Sequence, residues 1–234
     1  MGDALNEPRR TYESLWCAAV TAFAQNQFQV DAHLQNKAAD FRRGLTLILR
    51  PGPAVREAFT TFVDQLKLAA PGQYFYRPEE WHVTVLSIIP GSEHWQEKMP
   101  QLAAYQACVE EVMKGCQPFS IRFRGVTASP AAVMIQGIPP DDALAQIRDG
   151  LRASLQRAGF GDQLDVRYKI NTAHVTVMRF SHGNTNGKNL LALLTANRTT
   201  DFGAVNVGGL ELIFGDWYAS AESSRTVQAY KLPA

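Results

Sequence analysis

One tetrapeptide occurs twice in this chain, as His82-Val83-Thr84-Val85 and, 92 positions later, as His174-Val175-Thr176-Val177. Each copy lies in a run of β-branched and apolar residues, Trp81 to Ile89 and Ala173 to Phe180, and such runs predict buried or half-buried strands. Side chains of a strand alternate between its faces, so His82 and Thr84 point one way while Val83 and Val85 point the other. The second copy repeats the arrangement. A fold that keeps both copies therefore holds two strands that each offer an imidazole and a hydroxyl on one face, anchored by valines on the opposite face. Two such strands make the walls of a groove.

The repeat is not a product of composition. With 5 His and 14 Thr among 234 residues, a given His has a Thr two places on by chance about 6% of the time, before identical valines are required. A single copy reads as a core or surface histidine satisfied by a neighbour, and the second copy reverses that reading. His33 in a polar helical stretch, His94 after the Pro90-Gly91 turn and His182 beside Gly183 and Asn184 have no Thr partner and read as structural or solvent-exposed.

The paired pattern resembles the two-histidine (2H) phosphoesterase superfamily, which includes bacterial 2'-5' RNA ligase-like and cyclic phosphodiesterase enzymes. Both motifs are hydrophobic-flanked strands, their separation fits one motif per lobe, and Arg179 follows the second motif where related proteins often carry an arginine. The first motif departs from this by continuing as Leu86-Ser87-Ile88, with no basic residue at the equivalent place. The resemblance runs from about Arg42 to the C-terminus, so residues 1–41 are expected to form an N-terminal helical extension and 42–234 a 2H phosphoesterase-like domain of two lobes.

Charge and cysteine usage narrow the setting. Hydrophobic residues make up 46% and charged residues 19%, which places the chain among globular proteins rather than disordered ones. The 23 Lys plus Arg nearly balance 22 Asp plus Glu, so no strong field exists for gripping a long nucleic-acid duplex, and a small ligand or a nucleic-acid end fits better. Cys17, Cys108 and Cys116 are odd in number and lack metal-ligand spacing, which argues against a disulfide framework. No run of 18 apolar residues occurs, the N-terminus lacks the apolar core of a signal peptide, and residue 6 is Asn where a myristoylation signal needs Ser or Thr. A cytoplasmic protein without membrane attachment is expected; a protein partner is unassigned.

Periodicity sets the order of elements. Leu15, Ala19, Ala22 and Phe23 predict a helix over Tyr12–Phe28, a lid, a packing arm or a partner surface. A strand over Leu45–Leu49, a helix through Val55, Phe59, Phe62, Val63 and Leu66, and the first motif strand follow. Next come a helix over Gln96–Lys114 and a hairpin of Phe119–Val126 with Val133–Ile138 around Ser129-Pro130. Leu144, Ile147, Leu151 and Leu155 stripe a further helix that Gly159 is placed to cap. After the second motif come a short helix near Leu190–Ala196 and strands over Val205–Phe214 and Val227–Leu232. The fold class is α+β: two mainly antiparallel sheets facing a central groove, with helices outside.

Residue chemistry fits the resemblance. Opening a 2',3'-cyclic phosphate needs a base for water, an acid for the departing ribose oxygen and donors for the phosphoryl oxygens. Two histidines, ordinarily titrating at about 6.5, fill both proton-transfer roles near neutral pH. Thr84 and Thr176 lie on the histidines' own faces as phosphate donors, and Arg179 is a further phosphate ligand. No metal or other cofactor is needed, since the carboxylates are scattered and the strand histidines lack further ligands. Which histidine is the base cannot be read from the residues. Tyr76, Tyr168, Trp217 and Tyr218 lie near strand ends where a base could stack, each also fitting as packing. Arg122 and Arg124 share a strand face that either lines the groove or meets water. The reading is a metal-independent phosphodiesterase with catalytic His82 and His174, acting on a nucleotide or RNA end; a non-catalytic binding module of the same fold is the alternative. An interaction protein docking through the N-terminal helix is compatible with either.

Overall fold

The computed structural model describes residues 6–164 and 169–233. The chain opens with α1 (Asn6–Ala24), whose Tyr12, Ala19 and Phe23 are buried against β4 (Phe119–Ser129) and α5 (Gly187–Ala196). It stops short of the predicted Phe28 because Asn26 takes a left-handed φ of 52°. Residues 32–39 form 3-10 turns with no buried side chain.

Among the described residues nine strands form one curled, antiparallel sheet. β1 (Arg43–Leu49) is followed by α2 (Pro53–Ala69), which starts with proline in its first turn and buries Val55, Phe59, Phe62, Val63 and Leu66 as their spacing predicts. The two-residue strand β2 (Tyr74–Phe75), which pairs with the later strand bearing the second motif, and then β3 (Val83–Ser92) follow. The predicted helix over Gln96–Lys114 is instead two 3-10 turns, Trp95–Glu97 and Met99–Gln101, followed by α3 (Leu102–Met113). Pro100 is the physical reason, since it removes a backbone donor and disfavours helical geometry at the residue before it.

The hairpin of β4 with β5 (Ala132–Ile138) and the helix α4 (Ala143–Arg157) follow, then β6 (Val175–Arg179), α5, β7 (Asp201–Val207), β8 (Gly209–Asp216) and β9 (Arg225–Lys231). In space the order is β7-β4-β5-β6-β3-β1-β8-β9, with β2 on β6. The motif strands β6 and β3 thus lie at the centre, and each belongs to one four-stranded half of the sheet.

One strand assignment is corrected. Val205–Phe214 reads as one strand in the sequence, but the chain breaks at Gly208: β7 pairs with β4 at one edge, while β8 pairs with β1 near the other. Close contact favours glycine next to the break, because a Cβ on Gly209 would stand 2.7 Å from the Tyr230 carbonyl oxygen. The half of the sheet that holds β3 is therefore built from strands early and late in the chain.

Candidate active site

β3 and β6 meet at one ladder pair, Val83 with Val175. These valines, like Val85 and Val177, are fully buried, while His82, Thr84, His174 and Thr176 are half-buried and line one groove of about 880 Å³. The antiparallel sense about the shared pair brings His82 to the side of Thr176 and His174 to the side of Thr84. An approximate two-fold axis thus relates the motifs. Beyond this pair β6 takes β2 as its neighbour, with Tyr74 opposite Arg179 and Phe75 opposite Met178. Arg179 joins the groove wall, and its Nε donates to the Tyr76 hydroxyl at 2.8 Å.

Each imidazole is held through Nδ1 by the residue two places before it. For His82 the partner is the Glu80 carbonyl at 2.7 Å, which can only accept, so Nδ1 carries a proton and Nε2 is the nitrogen left for a ligand. For His174 the partner is the Thr172 hydroxyl at 2.8 Å. Burial lowers the titration of His82 below its ordinary value against the pull of the Glu80 carbonyl, and Arg50 and Arg179 lower it further. His174 is lowered to about 4, by burial first and then by Arg148, Arg179 and His82.

Arg148 ties the two motifs from beneath. It projects from α4, is only 3% exposed, and donates from Nε to the Val85 carbonyl at 2.9 Å and from Nη2 to the carbonyls of Thr84 at 2.8 Å and Thr172 at 2.7 Å. One guanidinium thus satisfies backbone acceptors on both sides of the groove.

The predicted aromatic residues divide. Tyr76 and Trp217 border the groove; Tyr218 is fully buried with its hydroxyl on Asp31, and Tyr168 lies outside the described residues. Arg122 and Arg124 are exposed on β4 away from the groove, with Arg122 paired to Asp201. His33 and His94 are exposed, and His182 bonds with Gln73 and Asn184. Among the described residues no three His, Cys, Asp or Glu side chains cluster to hold a metal ion, and no helix is long and apolar enough to cross a membrane.

The 2'-5' RNA ligase superfamily model matches residues 51–215, which is 165 of the 234 residues and includes both motifs. The chain belongs to the 2'-5' RNA ligase superfamily. Among solved structures, TT0787 of Thermus thermophilus is similar with a TM-score of 0.62 at 16% identity, over 81% of this chain and 97% of that one. LigT of E. coli is similar both in complex with ATP (TM-score 0.52) and in complex with 3'-AMP (TM-score 0.53), each at 13% identity over 82% of this chain and 99% of that one. A comparison with curated protein sequences returns no match. The two-histidine resemblance and the α+β fold are borne out, and superfamily membership supports a phosphodiesterase-type function.

In this superfamily member three groove features escape a reading of the sequence. Arg148 sits within a helix whose Leu144, Ile147, Leu151 and Leu155 announce core packing, and only its being a charge next to that stripe marks it. Thr172 repeats the two-residue spacing of the motif on its N-terminal side, and that spacing is a signal the sequence does carry. Phe160 reaches the groove through the turn that ends α4: Gly159 at φ 84° donates to Gln156, and Phe160 donates to Leu155 at 2.8 Å.

Proposed function

We propose that the protein is a phosphodiesterase that opens 2',3'-cyclic phosphates of nucleotides or RNA ends, or acts on 2'-5' linkages, with His82 and His174 as its acid and base. The observation that carries this reading is the Val83–Val175 pair, which sets both motifs about one axis on one groove. In the proposed reaction His174 is the base. Burial first, then Arg148 and Arg179, disfavour its imidazolium, and with Nδ1 engaged by Thr172 its Nε2 takes a proton from water as the water oxygen bonds to phosphorus. His82 is the acid: the Glu80 carbonyl accepts from Nδ1 in the cationic as in the neutral ring and opposes the lowering by burial, and the ring gives a proton from Nε2 to the ribose oxygen as the P–O bond breaks. Thr84, Thr176 and Arg179 donate to the nonbridging oxygens, whose charge grows in the transition state. The two imidazoles supply both proton transfers, so no metal is required by this chemistry.

LigT of E. coli has been crystallised with ATP and with 3'-AMP, and the size of the present groove, with Tyr76, Trp217 and Phe160 on its walls, suits a nucleotide. The test is hydrolysis of 2',3'-cyclic nucleotides in EDTA by wild type, His82→Ala and His174→Ala, with the phosphate isomer assigned by phosphorus NMR. Turnover by wild type and a loss of about 1000-fold or more in either variant is expected. Ligand binding without turnover, unaffected by either substitution, would instead favour a binding module.

A further inference from the structure

We propose that Tyr12 of α1 and Thr172 are positioning residues for His174, forming a hydrogen-bond chain that fixes which imidazole nitrogen faces the groove; this rests on the two-histidine reading above. The segment bearing Thr172 and His174 precedes β6 and lies outside the ladder, so its backbone groups find partners elsewhere. Arg148 meets the Thr172 carbonyl, and helix α1 meets the next amide. The Ala173 amide donates to the Tyr12 hydroxyl at 3.1 Å, and Asn171 Nδ2 donates to Thr11 Oγ1 at 3.0 Å. Thr127 Oγ1 in turn donates to the Tyr12 carbonyl at 3.1 Å, tying the helix to β4.

The direction of the chain is set at its far end. The Tyr12 hydroxyl is buried and keeps its proton, which it donates to the Gly137 carbonyl at 3.1 Å, a group that can only accept. Its oxygen then receives the Ala173 amide, and in the proposed chain it takes the proton of the Thr172 hydroxyl as well. With the Thr172 proton directed to Tyr12, the Thr172 oxygen accepts from Nδ1 of His174 at 2.8 Å. His174 is thereby held as the Nδ1–H tautomer with Nε2 unprotonated, the state that a base requires. His82 has its Nδ1 proton fixed through one carbonyl. The second motif needs a helix from the other end of the chain to do so.

The test uses the full chain and reads the tautomer directly, by long-range proton–nitrogen correlation spectra of the imidazoles in wild type, Tyr12→Phe, Thr172→Val and Thr172→Ser, with His174 assigned through His174→Gln. Thermal unfolding checks that each variant is folded. Thr172→Val is expected to move His174 to a mixture of tautomers and to lower kcat on 2',3'-cyclic nucleotide about tenfold or more with little change in KM. Tyr12→Phe is expected to shift it part-way, Thr172→Ser to restore it, and His82 to stay unchanged throughout. An unshifted His174 tautomer in folded Thr172→Val and Tyr12→Phe overturns the proposal. Shifted tautomers in a protein whose wild type turns over no cyclic phosphate uphold the positioning and overturn the catalytic reading instead.

Discussion

The two copies of the tetrapeptide are identical in sequence and unequal in support. His82 follows a short turn whose own backbone, the Glu80 carbonyl, orients its ring. Glu80 is itself buried and locked, its carboxylate accepting from Arg77 and from the Ala221 amide. His174 follows a segment outside the ladder, and there side chains do the holding, with Thr172 on the ring, Tyr12 on the Ala173 amide and Arg148 on the Thr172 carbonyl. A motif thus specifies which groups face a groove, while their orientation depends on what lies one layer behind. The half supported by backbone is robust to substitution, and the half supported by side chains is open to it.

Arg148 is where this contrast is broken most severely, because it serves both halves. Arg148→Met keeps the stem but leaves the carbonyls of Thr84, Val85 and Thr172 without that donor in a buried place. A loss of about 3 to 5 kcal/mol in urea unfolding is expected. Activity should fall with it even under conditions where the variant is folded, since both motif strands lose a shared brace. A loss below about 1 kcal/mol would mean that the carbonyls find other partners and that the two halves are braced independently.

Acid titration tests the burial of the histidines next. His174 titrates at about 4 in the folded protein against about 6.5 when unfolded, so the unfolded chain binds more protons between those values. Stability contributed by the neutral ring is complete above pH 6.5 and is lost as pH falls towards 4. On the order of 2 kcal/mol is expected, reduced from the full linkage value because the ring meets solvent in the groove. Urea unfolding at about pH 7 and about pH 4 should show His174→Gln flattening this dependence. His82→Gln should flatten it in the same direction. An equal slope in wild type and His174→Gln would mean that His174 is not held below its ordinary titration in the folded protein.

How much of this is legible in the sequence follows from distance along the chain. The inward face of each motif is readable because strand alternation is local, and the burial of Val83, Val85, Val175 and Val177 obeys it. The stripe on α4 and the stop at Gly159 are readable for the same reason. The break at Gly208 is only half readable: the Gly208-Gly209 pair between strand formers is a local turn signal, but that β7 joins β4 while β8 joins β1 is set by partners far away in the sequence. The contacts from Tyr12 to Gly137 and from Arg148 to Val85 span 125 and 63 residues, and no local period announces a hydrogen bond of that reach.

The smallest expected effect concerns the second lobe's other arginines. Arg122 and Arg124 stand on β4 in the same half of the sheet as Arg179, and their alternation with Ile121 and Phe123 tells only that they share a face. Ile121 and Phe123 are fully buried, so the arginines' face is the solvent one, and Arg122 meets Asp201 of the neighbouring edge strand in an exposed pair. Water and salt screen such a pair, and its side chains are costly to order. Arg122→Ala combined with Arg124→Ala is therefore expected to leave kcat/KM on cyclic nucleotide within about twofold of wild type and the thermal midpoint little changed. A fall of about tenfold or more on an oligonucleotide, with mononucleotide turnover intact, would instead extend the substrate path from the groove along the same sheet face to β4, so that this half of the sheet would reach further along the substrate than the half bearing His82.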